Sequence, residues 1–595
     1  MRKKLLYVGL SLLLVAAMVV SACSKTTTST TATTASVVTT TSTTAPNTPQ
    51  YGGTLTVWTD WGNTNPAGFD PNLSPAPYST NVWDSPFLLW LMLGDIEQYG
   101  PRGSNAFDFL TTENVPDQFL GGQNGSICQD QITQSWEITT NPEAVTLNLR
   151  HGIMWAAQPT IGMASRELTS DDVVFSMKRS MTSPVVGGLF GWVQSVTAPD
   201  KYTVVINMAS FNANWTYYLC WGFMTGQIDS VESGNTTVSG GNEDWKNQSC
   251  DGPFMLSDYV SGSGVTYVKN PNYQGTTTIN GKQYKMPFID KLVYPIITDQ
   301  STLIASVRTG KIDLDTNVPA ANASTLKQSS PNMVQEQYPS NSILMMKENR
   351  LDNQYLKNKS VRQALFMATD LGGIRDLVYP GAAIYSWPIP AGNPGYIPMN
   401  QLPASTQALF TYNPTQAQQL LKNAGYPNGF TLTVLVSSAD STQQDIASLV
   451  AAMWAKVGVT LKISVLDPTA KSGQDSTRSF DITFFSESIS NTLEPIYYVA
   501  PGLNSLFTAD DPETPLSLSV SQQADPVKRT SLEDQYALLV LDDAYMLQFA
   551  DPLSLNCYWP WLKNYYGEVD TGWHDTVPMT ERLWIDQSMK TTMGY

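Results

Sequence analysis

Apolar and polar residues begin to alternate at Tyr51-Gly52-Gly53-Thr54-Leu55-Thr56-Val57-Trp58, which predicts a strand behind a glycine pair. A stretch rich in Asn, Pro, Gly and Asp follows over residues 59–80, and a long polar loop directly after a strand is a frequent place for ligand contact. Further alternation predicts strands over 135–139, 145–150 and 202–208. Between them Leu168-Thr169-Ser170-Asp171-Asp172 opens a helix through Val173, Val174, Phe175 and Met177. Thr169 or Ser170 can cap that helix, and the two aspartates stand where its dipole favours negative charge.

The pattern is clearest between Asn413 and Asp467. Asn413-Pro414 starts a helix with Ala417, Leu420, Leu421 and Ala424 on its apolar face, and Gly425 ends it. A strand is predicted over 430–436. Ile446, Leu449, Val450, Met453, Trp454 and Val457 then recur three and four apart, one stripe of an amphipathic helix that stops at Gly458, and a second strand is predicted over 459–466. Helix, strand, helix, strand at these lengths predicts a crossover unit with parallel strands, hence an α/β domain.

The amino-terminal pattern is different. A basic head (Arg2, Lys3, Lys4) precedes an unbroken apolar run over 5–20 and then Ser21-Ala22-Cys23, the order of a bacterial export signal. An uncleaved membrane anchor is the alternative, since ~20 apolar residues span a bilayer. The small residues before Cys23 resemble a lipobox, which favours cleavage and lipidation of Cys23. Residues 24–50 are nearly all Thr, Ser and Ala and predict a flexible tether, because such a segment buries too little surface to offset its ordering entropy.

The chain as a whole is acidic, with a net charge of −17 over 595 residues and no basic clusters in its body, which argues against nucleic acid and anionic lipid as partners. With Cys23 committed to lipid, Cys128, Cys220, Cys250 and Cys557 allow three disulfide pairings, of which Cys220 with Cys250 is the most local; buried free thiols are the alternative. His151 and His574 are the two histidines, too few for a histidine-rich metal cage, so neither a metal nor a cofactor is expected. The segment 275–282 departs from a phosphate loop in its glycine spacing, and Gln283 stands where a magnesium-binding hydroxyl belongs. No nucleophile elbow or zinc-protease helix motif occurs, and no enzymatic activity is expected; an exported hydrolase built on paired carboxylates is the catalytic alternative.

Several motifs, taken in order, resemble the large extracellular solute-binding proteins that include the oligopeptide- and dipeptide-binding lipoproteins of ABC importers, family 5. They are Gly52-Gly53-Thr54-Leu55, Phe69-Asp70-Pro71, Ser135-Trp136-Glu137, Leu147 to Gly152, Leu168 to Arg179, Gly252-Pro253-Phe254 and Lys269-Asn270-Pro271-Asn272-Tyr273. Ile289-Asp290-Lys291-Leu292, Thr309 to Leu314, Val361 to Leu365 and Ala424 to Phe430 complete the series. The resemblance implies an α/β, periplasmic-binding-protein-like (class II) fold: two lobes, three domains, mixed sheets and a hinge. Its domain I would comprise 51–84, 216–310 and 546–595, domain II 85–215, and domain III 311–545, behind a signal peptide over 1–23 and a tether over 24–50. It further implies a monomer, anchored by lipid to the outer face of the cytoplasmic membrane, that encloses a small solute by hinge closure and passes it to an ABC permease and its ATPase.

In peptide-binding relatives an aspartate holds the peptide's amino terminus and, in some, a basic residue in the preceding strand holds the other end. Counting back from Glu494-Pro495 places Asn491 at the aspartate position and Phe484 at the basic one. Loss of both charges favours a neutral polar ligand, an oligosaccharide being the alternative to an oligopeptide, and 16 Trp and 27 Tyr supply faces on which a sugar can stack. The residues expected at the ligand are Trp61, Asn65, Tyr78, Trp83, Asn349, Ser486, Asn491 and Trp573. A surface lipoprotein without a transport role is the third class of function.

Overall fold

The strand predicted behind the glycine pair, Thr54–Trp58, lies at the middle of a seven-stranded sheet in the computed structural model of the chain. The structure describes residues 48–595 except 60–63, 67, 71, 73–81, 99, 103–129, 185, 214, 216–217, 220–226, 235–238, 341, 390, 392–394, 489–505, 507, 509 and 570–575. In spatial order the sheet reads Val334–Pro339, Leu553–Tyr558, Leu314–Pro319, Thr54–Trp58, Lys291–Pro295, Gly264–Lys269, Phe254–Val260. Thr54–Trp58 is parallel to both of its neighbours and the other pairs are antiparallel. Three distant stretches of chain therefore build one sheet. Two of its strands, Leu314–Pro319 and Val334–Pro339, fall inside the segment expected to form domain III, so the chain leaves this sheet after Pro339 and not at 311.

The strands predicted near 135, 145 and 202 are Thr133–Thr140, Glu143–Leu149 and Thr203–Met208. With Val193–Asp200 they form a four-stranded antiparallel sheet. Ser170–Thr182 is the helix expected there; Thr169 is its N-cap, and the Asp172 carboxylate accepts the Thr169 backbone N–H at 3.0 Å. One apolar core runs from the seven-stranded sheet (Leu55, Leu292, Leu314) into this one (Val145, Val204, Ile206).

The crossover unit forms as predicted. Asn413 caps helix Pro414–Asn423 by accepting from Gln416 N at 3.0 Å, and helix Ser441–Ala455 joins the parallel strands Phe430–Ser437 and Val459–Leu466. These strands belong to a five-stranded sheet in the order Val459–Leu466, Phe430–Ser437, Ile482–Ser488, Ser342–Glu348, Met546–Gln548. Alternation along Ser342–Glu348 sends Leu344 and Met346 into a core with Val434, Val450 and Trp454, and Ile343 and Met345 into a second core with Tyr385, Trp387 and Tyr536 on the opposite face.

Cys250 carries a free, buried thiol whose pKa burial pushes up to about 12; Cys220, the most local partner for a bridge, lies outside the described residues, as do Cys23 and Cys128. Cys557 is likewise free and buried. Both sit among apolar neighbours of the large core, the common setting of a structural thiol. Among the described residues no helix is long and apolar enough to cross a membrane.

The two parallel strands of the crossover unit start side by side, Phe430 opposite Val459, each directly after a glycine with positive φ. A Cβ at Gly429 would stand 1.7 Å from the Gly458 carbonyl oxygen. Gly429→Ala is expected to destabilise the protein by about 3 kcal/mol through combined overlap and left-handed backbone strain. A lowered midpoint in urea denaturation would show it; an unchanged midpoint would contradict the close approach of the two turns.

Candidate ligand-binding site

The chain passes from the seven-stranded sheet to the five-stranded one between Pro339 and Ser342 and returns between Gln548 and Leu553. The two passages lie side by side: Ser340 N donates to Pro552 O at 2.8 Å, Ser340 Oγ reaches Asp551 Oδ1 at 3.4 Å, and Phe549 N donates to Leu344 O at 3.0 Å. Pairing registers orient the sheets about this point. Pro339 faces Leu553, and Pro319 faces Ser554, so those residues mark the edge of the large sheet nearest the passages. Trp58 is aligned with Asp315 in a parallel pair, so the first strand advances toward the same edge before entering the 59–80 loop. In the smaller sheet Ser488 faces Ser342, the first strand residue after the passage, so the strand Ile482–Ser488 ends at this junction. Carboxyl ends of parallel strands are where α/β sheets hold ligands, and both stretches expected to contact ligand start there.

The first loop is tied down at several points. Asn65 Oδ1 accepts from Ser261 Oγ at 3.2 Å and Gly262 N at 2.6 Å, fixing the loop to a hairpin turn of the large sheet. Phe69 meets Tyr259 edge to face at 5.5 Å. Arg179, near the end of the capped helix, pairs with Asp70 and, at 2.6 Å, with Asp229, while Ser183 Oγ donates to Asn72 O at 2.6 Å. Trp83 is wholly buried, packed edge-on to Tyr294, with its carbonyl accepting from Tyr267 OH at 2.8 Å. Next to it Asp84 is also wholly buried and its carboxyl has no hydrogen-bond partner among the described residues; burial, then Asp229 and Asp70, hold its pKa well above the usual carboxylate range.

The expected contact residues thus divide. Asn65 spends its side-chain oxygen on a turn, and Trp83 is a core residue. Asn349 is buried with Nδ2 donating to Phe480 O at 3.0 Å and Arg478 O at 3.3 Å, and Oδ1 accepting from Asp352 N at 3.1 Å. Asn349 and Trp83 are thus buried scaffold, with the Trp83 indole N–H unpartnered among the described residues, while Asn65 is exposed and engaged through its oxygen. Ser486 is exposed near the end of its strand, opposite Leu344. Trp61, Tyr78, Asn491 and Trp573 lie outside the described residues. Phe484, counted to the position of the relatives' basic residue, is buried in the core under the crossover unit and stacks on Phe549 at 6.1 Å. His151 stacks on Tyr202 at 3.8 Å, a packing role.

Gln548 carries no motif that marks it in the sequence. It is wholly buried beside the return passage, where Oε1 accepts from Ser386 N and Trp387 N at 3.2 Å each and Nε2 donates to Trp387 O at 3.0 Å. Its amide fastens the 385–387 segment, with Tyr385 and Trp387, against the junction. The one signal is a lone glutamine in the otherwise apolar run Met546-Leu547-Gln548-Phe549.

At the same edge Asp315 is buried between Trp58 and Cys557, accepts from Asn317 N at 3.0 Å, and has its pKa raised to about 7 by burial. Because the folded-state value is raised, the neutral form is favoured on folding. Stability from this group is full below the ordinary pKa near 4 and is lost by ~1.4 kcal/mol per unit as pH rises toward about 7. Asp315→Asn is expected to remove that slope, so the variant gains stability over the parent between pH 5 and 8. Parallel melting curves across that range test it, and a constant difference would refute the assignment.

Residues 129–506 match the profile of the middle region of the bacterial extracellular solute-binding proteins, family 5. Heme-binding protein A of Haemophilus influenzae is 26% identical over 59% of this chain and 64% of its own length. The dipeptide-binding protein of Escherichia coli is 27% identical over 56% of this chain and 62% of its own length. The chain thus spans less than two thirds of each of these relatives. The periplasmic binding protein DppA from Helicobacter pylori, solved in complex with the peptide STSA, superposes with a TM-score of 0.68 at 21% identity, covering 90% of this chain and 99% of that one. The shared fold agrees with the α/β binding-protein architecture expected from the motif series.

Proposed function

The chain belongs to family 5 of the bacterial extracellular solute-binding proteins, and from that premise we propose that it captures a small solute between two lobes and delivers it to an ABC permease with its ATPase. The observation that carries this reading is the pair of adjacent passages at 339–342 and 548–553, with both candidate loops starting beside them. Two short parallel connections let two bodies swing while staying in register, and a ligand that touches both bodies stabilises the closed form by its differential affinity for it. Nothing in this cycle makes or breaks a bond in the chain. Export, cleavage before Cys23 and lipidation would place the protein on the outer face of the membrane as a tethered monomer, with residues 24–50 as the tether.

For the ligand we favour a neutral polar molecule, either a peptide held through its backbone or an oligosaccharide, contacted by Trp61, Tyr78, Ser486, Asn491 and Trp573. The support is Asn491, which stands where the family resemblance implies an amine-binding aspartate. A thermal-shift screen of the full chain discriminates. Neutral glycans or end-blocked peptides at 100-fold over their dissociation constant are expected to stabilise by about 2.7 kcal/mol. Stabilisation by peptides with free termini alone would overturn the neutral preference, and hydrolysis of a ligand would overturn the non-enzymatic reading. Asn491→Asp is expected to improve binding of free-amino peptides over acetylated ones by about tenfold, the worth of one charge-assisted hydrogen bond; titration calorimetry with the matched pair checks it.

A further inference from the structure

Beyond the two covalent passages, a third contact joins the bodies. The strand Thr203–Met208 of the four-stranded sheet runs into residues 209–213. Ala209 and Ser210 are exposed, Phe211 and Asn212 are half-buried, and Ala213 is wholly buried. What buries Ala213 is not its own core. Every other buried member of the cluster it joins, including Met345, Val520 and Tyr545, lies between Ile343 and Met546 on the far side of the passages, while Phe211 packs against both this cluster and the large core. The backbone closes the contact, with Ala213 N donating to Ser521 O at 2.6 Å. Ser521 is the last residue of helix Glu513–Ser521, and the carbonyls of a final helical turn have no partner within their own helix. Ala213 supplies one of the missing donors.

We infer that residues 211–213 and the carboxyl end of helix Glu513–Ser521 form a clasp that holds the two bodies together without a ligand. Parting them would expose Ala213 and Val520 and strip the helix end of its donor, so the contact favours the closed form by hydrophobic burial and by backbone pairing. A protein already populating its closed form binds more tightly, because less of the ligand's binding energy goes into shifting the population. The clasp rests on the two-body reading above.

Hydrogen exchange on the ligand-free full chain tests it. Segments 209–213 and 518–522 are expected to exchange at least about 100-fold more slowly than unstructured peptide. Phe211→Ala, a half-buried position, and Ala213→Asp are expected to lose that protection in both segments together, with the strands at 546–558 unchanged and far-UV circular dichroism confirming the fold. Exchange of 209–213 at the unstructured rate in the parent chain would overturn the clasp. So would loss of protection in 209–213 alone in Phe211→Ala, since that is local fraying. If the reciprocal loss is seen but no solute in the thermal-shift panel alters exchange elsewhere, the clasp stands and the solute-binding reading fails.

Discussion

The constraint on which the rest of the molecule depends is that the chain goes from the large sheet to the small one at Pro339 and comes back at Leu553, with the two passages hydrogen-bonded to each other. Strands on either side of a passage must share its direction. That is why Pro339 faces Leu553 in one sheet and Ser342 faces Ser488 in the other, and why the loops after Trp58 and Ser488 start at a common junction. Gln548 adds a local condition by fixing the 386–387 backbone against the return passage with an amide that bonds to both N–H groups and one carbonyl. Moving the junction would unpair those groups in a buried setting, where each lost bond costs about 1–3 kcal/mol.

On either side of this junction, buried guanidinium groups tie distant segments together. Arg582 pairs with Glu97 at 2.7 Å, Asp130 at 2.6 Å and Glu581, while Tyr273 OH donates to Glu581 Oε2 at 2.6 Å. Burial disfavours ionisation of Glu97 and Asp130, yet Arg582, together with Arg102 and Thr277 at Glu97 and Arg150 at Asp130, holds both below their ordinary values; burial, then Asp130, drives Glu581 well above its own. Arg582 thus meets three acids and fastens the carboxyl-terminal segment to chain nearly five hundred residues earlier. Arg362, bonded to Asp543 and to Leu356 O, does the same work between helices of the smaller body. Such ties on each side are what the proposed hinge at the passages requires.

Local pattern makes most elements legible in the amino-acid sequence. The first strand, the capped helix at Thr169, the hairpin near 135–149 and the whole crossover unit follow from periodicity and caps, because each is decided within a few residues. The boundary expected at 311 is misplaced for the opposite reason: Leu314–Pro319 and Val334–Pro339 pair with a strand more than two hundred residues later, and no local signal records that partner. Site residues are less legible still. Asn65 and Asn349 are asparagines in loops beside strands, as a ligand contact would be, but the same amide can satisfy a turn, and only the positions of Gly262 and Phe480 decide between the two uses.

Side-chain direction also changes which residues speak for a neutral ligand. Phe484 pairs with Met346, four residues, about 13 Å, in from Ser488 at the junction. Its side chain points into the core beneath the crossover unit. A basic residue there would face apolar neighbours, so Phe484 records no lost anchor. Its neighbour Phe485 points to the opposite face, where the ammonium of Lys347 lies 5.0 Å from the ring centre. A cation is therefore present on that face of the smaller sheet, held against an aromatic and well inside the strand. The weight of the neutral-ligand proposal falls on Asn491 alone, which lies outside the described residues and differs by one charge, at almost constant shape, from the aspartate that the resemblance implies.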